Sequence, residues 1–258
     1  MKWLIPNNNE INDNETIAHW SEIHKSGYNI WSISEDDKLL NKLLTVISTI
    51  LHKRILVIGC GSKIRLQNFL CNALETIERI VCTDFANVIS LARKGENHPN
   101  IEYREMDSRF LNYENHFDVV ININAILSQS DEQNRQILLS CQKALKKGGV
   151  FLGLFPTIIC NIEIYCLEKR YNRLKRGFAK QAVNLDQNND LLSIMVQNNQ
   201  LFYTPLYLRC IIKESLLKLH TLELFFCESD DFYTQAKKLL LINDRDVLIY
   251  EFFVIATK

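Results

Sequence analysis

Strand-like and helical segments alternate between residues 54 and 155, and this alternation constrains the fold more than any other feature of the chain. Five strand-like runs lie at 54–59, 79–84, 100–107, 116–122 and 149–155. Helical patterns at 64–74, 87–94 and 131–145 separate most of these runs. A strand, helix and strand repeated at about thirty residues implies right-handed crossovers and a parallel sheet that is covered on both faces.

The segments on either side of this core have different patterns. Residues 36–51 place an apolar face at helical spacing, made of Leu39, Leu40, Leu43, Leu44, Ile47 and Ile50. We therefore predict an amphipathic helix before the core. After residue 155 the patterns predict a basic helix over 158–180, a hairpin turning at Asn198 and Asn199, and a helix over 206–219. Two β-rich runs, 220–229 and 246–258, follow.

Composition restricts the class of protein. Thirty lysines and arginines balance thirty aspartates and glutamates, so the chain lacks the overall positive charge of a dedicated nucleic-acid binder. Its eight cysteines form no C-x-x-C pair, and most of them lie in apolar runs, which favours a reducing compartment. Because no window approaches a membrane span and the start of the chain has only a short apolar run, we predict a cytoplasmic protein with no membrane partner.

The turn after the first strand, in "RILVIGCGSKI", contains Gly59 and Gly61. A dinucleotide-binding loop requires a third glycine at position 64, which is Ile64, and the Gly-Lys-Ser/Thr of a phosphate-binding P-loop is also absent. Ligands of doubly wound sheets bind beyond the carboxyl ends of the strands, where this turn lies. The loop therefore suits an uncharged or zwitterionic nucleoside more than a phosphorylated one.

Acidic residues end the second and third strands. Asp84 follows Gly59 by 25 residues, where its carboxylate can accept hydrogen bonds from both hydroxyls of a ribose. Asp107 and Ser108 end the third strand, in a position to receive an adenine amino group. Each aspartate alone is also compatible with a helix cap or a turn. Together with the two glycines, they describe a binding site for adenosine without phosphate.

These residues carry a family resemblance. The stretches "ILVIGCGSK", "VCTDFANVISLARK", "IEYREMD", "FDVVININAIL" and "ALKKGGVFLG" resemble, in order and spacing, the motifs of class I S-adenosylmethionine-dependent methyltransferases. The resemblance covers about residues 54–155. It implies an α/β fold with a doubly wound, mostly parallel sheet of seven strands, the last two forming an antiparallel hairpin from 220–229 and 246–258. It also implies S-adenosylmethionine as the cofactor.

The resemblance assigns roles to individual residues. By this likeness, Gly59, Cys60 and Gly61 approach the methionine portion of the cofactor, Asp84 binds the ribose, Phe85 covers one adenine face, and Asp107 with Ser108 meets the adenine edge. Asn122 and Asn124 border the cofactor and the methyl acceptor. Two positions depart from the family pattern: Val57 replaces a frequent acidic residue, and Lys63 replaces the third glycine.

The resemblance also divides the chain, which we predict to be a single domain. Residues 1–53 form an N-terminal helical lid, 54–155 a cofactor-binding core, 156–204 an acceptor-side insert, and 205–258 a C-terminal helix with the last strands. No residue stands out as a catalytic base among Asn122, Asn124, His116, His24, Tyr165 and Tyr203, and no histidine has metal-ligand spacing. This favours an acceptor atom that is already nucleophilic near neutral pH.

The sequence leaves several acceptors open. The aromatic entry "HWSEIHKSGYNIWS", with Trp31, is similar to the lid of thiopurine-type enzymes and predicts a small-molecule nitrogen, oxygen or sulfur acceptor. Its predicted contacts are Trp31, Asn124, Tyr165, Tyr203 and Arg173. A basic face with Lys169, Arg173 and Arg176, and a tail similar to messenger-RNA cap guanine-N7 methyltransferases, leave RNA open, with protein as a third acceptor. Val57 and Lys63 leave open a non-catalytic binding subunit, and the oligomeric state is not predicted.

Overall fold

The computed structural model describes residues 17–18, 20–22, 24, 36–50, 53–95, 97–159, 196–197, 200–226 and 250–258. Its strands are Lys53–Ile58 (β1), Ile77–Asp84 (β2), Ile101–Glu105 (β3), Phe117–Ile123 (β4), Leu145–Pro156 (β5), Val196–Gln197 (β6), Gln200–Leu201 (β7), Lys218–Phe226 (β8) and Tyr250–Thr257 (β9). Its helices are Asp37–Ser48 (α1), Arg65–Ala73 (α2), Ala86–Ala92 (α3), Asp131–Ala144 (α4) and Pro205–Glu214 (α5). The predicted contacts Trp31, Tyr165 and Arg173, with Lys169 and Arg176, lie outside the described residues.

Seven strands form one sheet in the order β3-β2-β1-β4-β5-β9-β8. Strands β1 to β5 pair in parallel, and β9 runs antiparallel to both of its neighbours, β5 and β8. The predicted mostly parallel sheet with an antiparallel C-terminal hairpin is therefore confirmed. The chain moves outward from β1 to β3 and then returns to β4 on the other side of β1, so the strand order reverses between β1 and β4.

Helices cover both faces of this sheet, as the apolar runs in its central strands β1 and β4 predict. Helices α1, α2 and α3 pack on one face, where Leu40, Leu70 and Ile89 belong to one buried cluster. Helices α4 and α5 pack on the other face, where Leu138 and Leu208 belong to a second cluster. No helix within the described ranges is long and apolar enough to span a membrane.

Helix α1 illustrates how the sequence sets a helix. Asp36 lies at its amino terminus and accepts a hydrogen bond from the backbone N–H of Leu39 at 3.0 Å, which satisfies one of the free donors of the first turn. Of the six predicted apolar positions, four are almost fully buried against the sheet: Leu39, Leu40, Leu43 and Ile47. The amphipathic helix predicted from residues 36–51 is therefore confirmed.

One helix end matches its prediction and another differs. Helix α4 ends at Ala144, one residue from the predicted 145, and Gly148 belongs to β5, where it has a φ of +77° and donates a backbone hydrogen bond to the Lys258 carbonyl. The pairing of β4 with β5 is irregular between Phe117 and Val119. Such a bulge accommodates a residue in the left-handed conformation, as Gly148 is. Helix α5 ends at Glu214, short of the predicted 219, and Leu216 turns the chain into β8 with a φ of +63°. The hairpin at Asn198 and Asn199 is confirmed by the antiparallel pairing of β6 and β7.

Candidate functional site

The predicted site lies at the carboxyl edge of the parallel strands. Here β1 runs into Gly59, β2 ends at Asp84, and β4 runs into Asn124. The reversal of strand order between β1 and β4 opens a crevice at this edge, which is where doubly wound sheets bind ligands. The fold therefore brings the predicted glycines, Asp84 and Asn124 to one end of the sheet.

Gly59 is fixed by both backbone conformation and close contact. Its φ is +52°, and a Cβ atom at this position would lie 2.2 Å from the Cβ of Ala125. No real pair of carbon atoms comes that close without covalent bonding, so only glycine lets the loop after β1 meet the loop after β4. Gly59 therefore holds the two sides of the crevice at a fixed separation.

Asp84 organises the first loop through its carboxylate. One oxygen accepts a hydrogen bond from the Gly61 N–H at 2.8 Å, and the other accepts one from the Phe85 N–H at 2.7 Å. Each carboxylate oxygen has two acceptor positions, so capacity for two further hydrogen bonds remains. Burial raises the pKa of Asp84, whereas the two N–H donors and the charge of His24 lower it. The carboxylate is thus a largely buried, prearranged hydrogen-bond acceptor.

His24 lies against the same loop. Its Nδ1 is 3.4 Å from the Ser62 hydroxyl, and a Cβ added to Gly61 would lie 3.3 Å from its Cε1. Burial lowers the pKa of His24, and the nearby charge of Asp84 opposes this effect. The described residues between 17 and 24 are helical, and Trp20 packs against the buried cluster under α4 and α5. Part of the segment predicted as a lid therefore contacts the first loop.

Cys60, between the two glycines, is anchored to the sheet. Its N–H donates to the Thr83 carbonyl at 3.1 Å, and its side chain is buried. A hydrogen bond with Cys82, followed by burial, raises the pKa of the Cys60 thiol. The Cys60 thiol is therefore neutral, and it lacks the exposure and the low pKa of a nucleophilic cysteine. The backbone N–H of Cys60 is what ties the loop to β2.

Asp107 and Ser108 lie at the end of β3 as predicted, but Asp107 already has a partner. Its carboxylate caps the short 3₁₀ turn Ser108–Phe110 by accepting from the Arg109 N–H at 2.8 Å, and it also pairs with the Arg109 guanidinium, with Nε at 2.9 Å. The turn-forming role considered from the sequence is thus present. An adenine contact at this position remains a prediction, and a ligand would share the carboxylate with Arg109.

The Asn122 side chain shapes a loop. It is fully buried, its Nδ2 donates to the Leu154 carbonyl at 3.2 Å, and its Oδ1 accepts from the N–H groups of Ala125 and Ile126 at 3.1 and 3.2 Å. These contacts hold the loop after β4, which places Ala125 against Gly59. We therefore assign Asn122 an indirect role through this loop, and its direct cofactor contact remains a prediction.

Two other candidates have packing roles. Tyr203, predicted to contact the acceptor, is completely buried, and its hydroxyl donates to the Ile126 carbonyl at 2.6 Å. His116 precedes β4 and so lies at the amino edge of the sheet, opposite the site, where its ring packs against Tyr113 and Phe117. The prediction that His116 lies near the functional strand ends is wrong. His116 precedes β4, whereas the predicted site lies after the strands.

Glu251, which was not predicted as a site residue, lies at the amino end of β9. Because β9 is antiparallel to β5, this residue pairs with Pro156 at the carboxyl edge of the sheet. Its Oε1 accepts a hydrogen bond from Asn124 Nδ2 at 2.7 Å, and burial raises its pKa to about 7. The indication in the sequence was an acidic residue inside the apolar run "LIYEFFVIA", where a buried strand ordinarily has none.

This geometry fits a nucleoside that lacks phosphate at the loop. The free acceptor capacity of Asp84 matches the two hydroxyl donors of a ribose, and the positive φ angles of Gly59 and Gly61 let the backbone approach a ligand. Val57 is buried in the core between the sheet and α1 to α3, so it faces away from a ligand at the edge. Lys63 is partly buried beside the loop.

Comparisons with known proteins agree with this description. Residues 55–149 match a family of proteins described as "Methyltransferase domain". No curated protein matches the chain. The fold is similar to magnesium protoporphyrin IX methyltransferase from Synechocystis PCC 6803, solved with bound SAH, at 10% identity and a TM-score of 0.58 over 95% of this chain and 99% of that one.

Two further structures show how widely the fold is used. The putative methyltransferase structure solved as a complex with the Haloferax volcanii Trm112 methyltransferase activator is 12% identical, with a TM-score of 0.59 over 92% of this chain and 96% of that one. The [4+2]-cyclase SpnF is 12% identical, with a TM-score of 0.56 over 86% and 81%. Fold alone therefore does not define the reaction. With the family match, the strand order and the loop geometry together, residues 55–149 form a methyltransferase domain of the class I type, whose cofactor is S-adenosylmethionine.

Proposed function

We propose that this protein is an enzyme that transfers a methyl group from S-adenosylmethionine to a small-molecule acceptor. The observation that carries the proposal is the arrangement of Asp84, whose carboxylate accepts the Gly61 and Phe85 N–H groups at the carboxyl edge of the sheet and retains acceptor capacity. A scaffold with no ligand gains little from burying this charge, because desolvating a carboxylate costs free energy unless its partners compensate. A ribose bound at Asp84 supplies such compensation.

In this proposal each part of the edge has a task. Asp84 binds the ribose hydroxyls, Phe85 packs on the adenine, and the backbone of Gly59, Cys60 and Gly61 approaches the methionine portion. The adenine edge meets Asp107 and Ser108. When bound, the cofactor supplies an activated methyl group, so the protein needs to align the acceptor and exclude water more than to form a covalent intermediate.

The His24 contact supports a role for the N-terminal helix in excluding water. His24 packs on the first loop within reach of Asp84, and burial already lowers its pKa. A covered, partly dehydrated site strengthens the hydrogen bonds made inside it. We infer that this helix closes over the bound cofactor, with Trp31 as a predicted acceptor contact further along the same segment.

A small-molecule acceptor is favoured by the charge balance and by the lid. Lysines and arginines equal aspartates and glutamates, which gives an RNA substrate no overall attraction. The similar magnesium protoporphyrin IX methyltransferase is named for a small-molecule substrate. RNA or protein as the acceptor remains the alternative, through Lys169, Arg173 and Arg176 or through a partner protein such as the Trm112 activator that binds a similar methyltransferase.

The decisive experiment is transfer of radiolabelled methyl groups from S-adenosylmethionine to separated fractions of a cell extract. We expect label in the small-molecule fraction, dependent on protein and abolished by Asp84→Asn. The matched control is Asp118→Asn: Asp118 also binds a backbone N–H, from Arg54 at 2.9 Å, but at the amino edge of the sheet. Label found only in RNA or only in protein would show that the acceptor belongs to that class and is not a small molecule. No transfer despite cofactor binding would favour the non-catalytic subunit.

A further inference from the structure

Glu251 lies on the ligand edge although it comes from the last strand. Its pairing partners are Pro156 at the end of β5 and Phe225 in β8. Its side chain reaches the loop after β4, where Asn124 Nδ2 donates to Oε1. The chain returns 127 residues after Asn124 to make this contact, so the fold joins two distant segments at the carboxyl edge of the sheet.

The pair leaves two buried oxygens unsatisfied. Glu251 is 7% exposed, and neither its Oε2 nor the Oδ1 of Asn124 has a hydrogen-bond partner among the described residues. When Glu251 is ionised, both atoms are acceptors only. Burying an acceptor without a donor costs free energy, and a carboxylate costs more than a neutral group. An apolar side chain like the neighbouring Phe252 would avoid this cost, so the arrangement needs an explanation other than stability.

The pair is also connected to the cofactor loop. Asn124 has a φ of +51°, an unusual conformation for a residue other than glycine, and its N–H donates to the Leu154 carbonyl at 3.1 Å. The next residue, Ala125, is the one that Gly59 meets. One loop therefore contacts the predicted methionine side of the cofactor through Ala125 and Glu251 through Asn124.

We propose that Glu251 and Asn124 bind the methyl acceptor through its own hydrogen-bond donors, so that the acceptor is a small molecule with at least two N–H or O–H groups, such as an amine or an amidine. This inference rests on the proposed function, and it narrows the substrate class. The hydrogen bond from Asn124 Nδ2 to Glu251 Oε1, 2.7 Å long, holds the two side chains together, and their two remaining acceptors select a donor-bearing ligand and reject an anion of the same shape. Glu251 acts in recognition, and Asp84 remains the cofactor contact.

A proton held between Glu251 Oε2 and Asn124 Oδ1 is the competing explanation. A protonated carboxyl and an amide satisfy each other fully, which would leave nothing for a ligand. The raised pKa of Glu251 is compatible with either arrangement, because burial is its main cause. The two accounts differ in what a donor-bearing ligand does to the Asn124 side chain.

The test follows the Asn124 side-chain amide by ¹⁵N NMR while benzamidine is added at millimolar concentration. Benzamidine presents two N–H donors in a plane, and benzoate has the same shape without donors. Glu251→Gln is the matched variant, because its amide oxygen still accepts from Asn124 Nδ2 while its NH₂ group donates where Oε2 accepted. Calorimetry with S-adenosylmethionine on each protein reports separately on the cofactor site.

We expect benzamidine to shift the Asn124 amide resonances in the wild type, benzoate to leave them unchanged, and Glu251→Gln to lose the shift while binding S-adenosylmethionine with unchanged affinity. No shift in the wild type, or an equal shift in Glu251→Gln, would overturn this inference and leave the proposed function standing. Failure of the wild type to bind S-adenosylmethionine would instead refute the proposed function.

Discussion

Replacing Gly59 by alanine is the most direct perturbation of the crevice. The residue has a φ of +52°, which costs a residue with a Cβ about 1–2 kcal/mol. The new Cβ would lie 2.2 Å from the Ala125 Cβ, and relieving such an overlap costs about 1–3 kcal/mol. We therefore expect a loss of roughly 2–5 kcal/mol in the free energy of unfolding, which lowers the Tm by roughly 5–15 °C in a domain of this size.

Gly148 provides the matched control. Its φ is +77°, but a Cβ added there meets no atom within 4 Å, and it lies at the amino edge of the sheet. Gly148→Ala should therefore cost only the conformational part, about 1–2 kcal/mol. Urea unfolding of both variants gives the difference, which isolates the contact between the two loops. If Gly59→Ala is no less stable than Gly148→Ala, the proposed contact with Ala125 is wrong.

Three further predictions concern single side chains. Tyr203→Phe removes the hydrogen bond to the Ile126 carbonyl and should lower the free energy of unfolding by about 1–2 kcal/mol in urea unfolding, with no change in cofactor affinity. The pKa of Glu251 rises from 4.5 to about 7 on folding, so its stabilising effect is complete below pH 4.5 and lost as the pH rises to 7. Relative to Glu251→Gln, the wild type should lose about 3 kcal/mol across that window, and parallel stability curves would contradict this. The charge of Asp84 raises the pKa of His24, so in an NMR titration Asp84→Asn should lower that pKa further, whereas an unchanged value would separate the two residues.

The sheet was predictable because the sequence pattern that specifies it is local and repeats along the chain. Apolar runs such as 54–59 and 116–122 are separated by amphipathic helices, and the only common way to bury both is a parallel sheet with helices on each face. Helix ends were less predictable. Glycine is common just after a helix end, but the pairing of β5 with β4 and the contact with Lys258 place Gly148 in a strand, and both partners are distant in sequence.

The site was predictable where strand ends define it. Gly59 and Gly61 lie in the loop after β1 and Asp84 ends β2, so the topology alone brings them together. Tyr203 was predicted to contact the acceptor. Nothing in the local sequence indicates that its side chain is instead buried, with its hydroxyl bonded to the Ile126 carbonyl. Glu251 was not predicted because it lies at the start of an antiparallel strand, where the edge that carries the predicted site is reversed relative to β1 to β5.

Calorimetric titration of S-adenosylmethionine into the wild type, Asp84→Asn and Asp118→Asn measures whether the Asp84 carboxylate binds the cofactor at the edge of the sheet. This carboxylate accepts the hydrogen bond of the Gly61 N–H at 2.8 Å. We expect the wild type and Asp118→Asn to bind S-adenosylmethionine with the same affinity. Asp84→Asn should bind it at least about tenfold more weakly, because it loses one or more charge-assisted hydrogen bonds. Equal binding by all three proteins, or no binding by the wild type, would contradict the account.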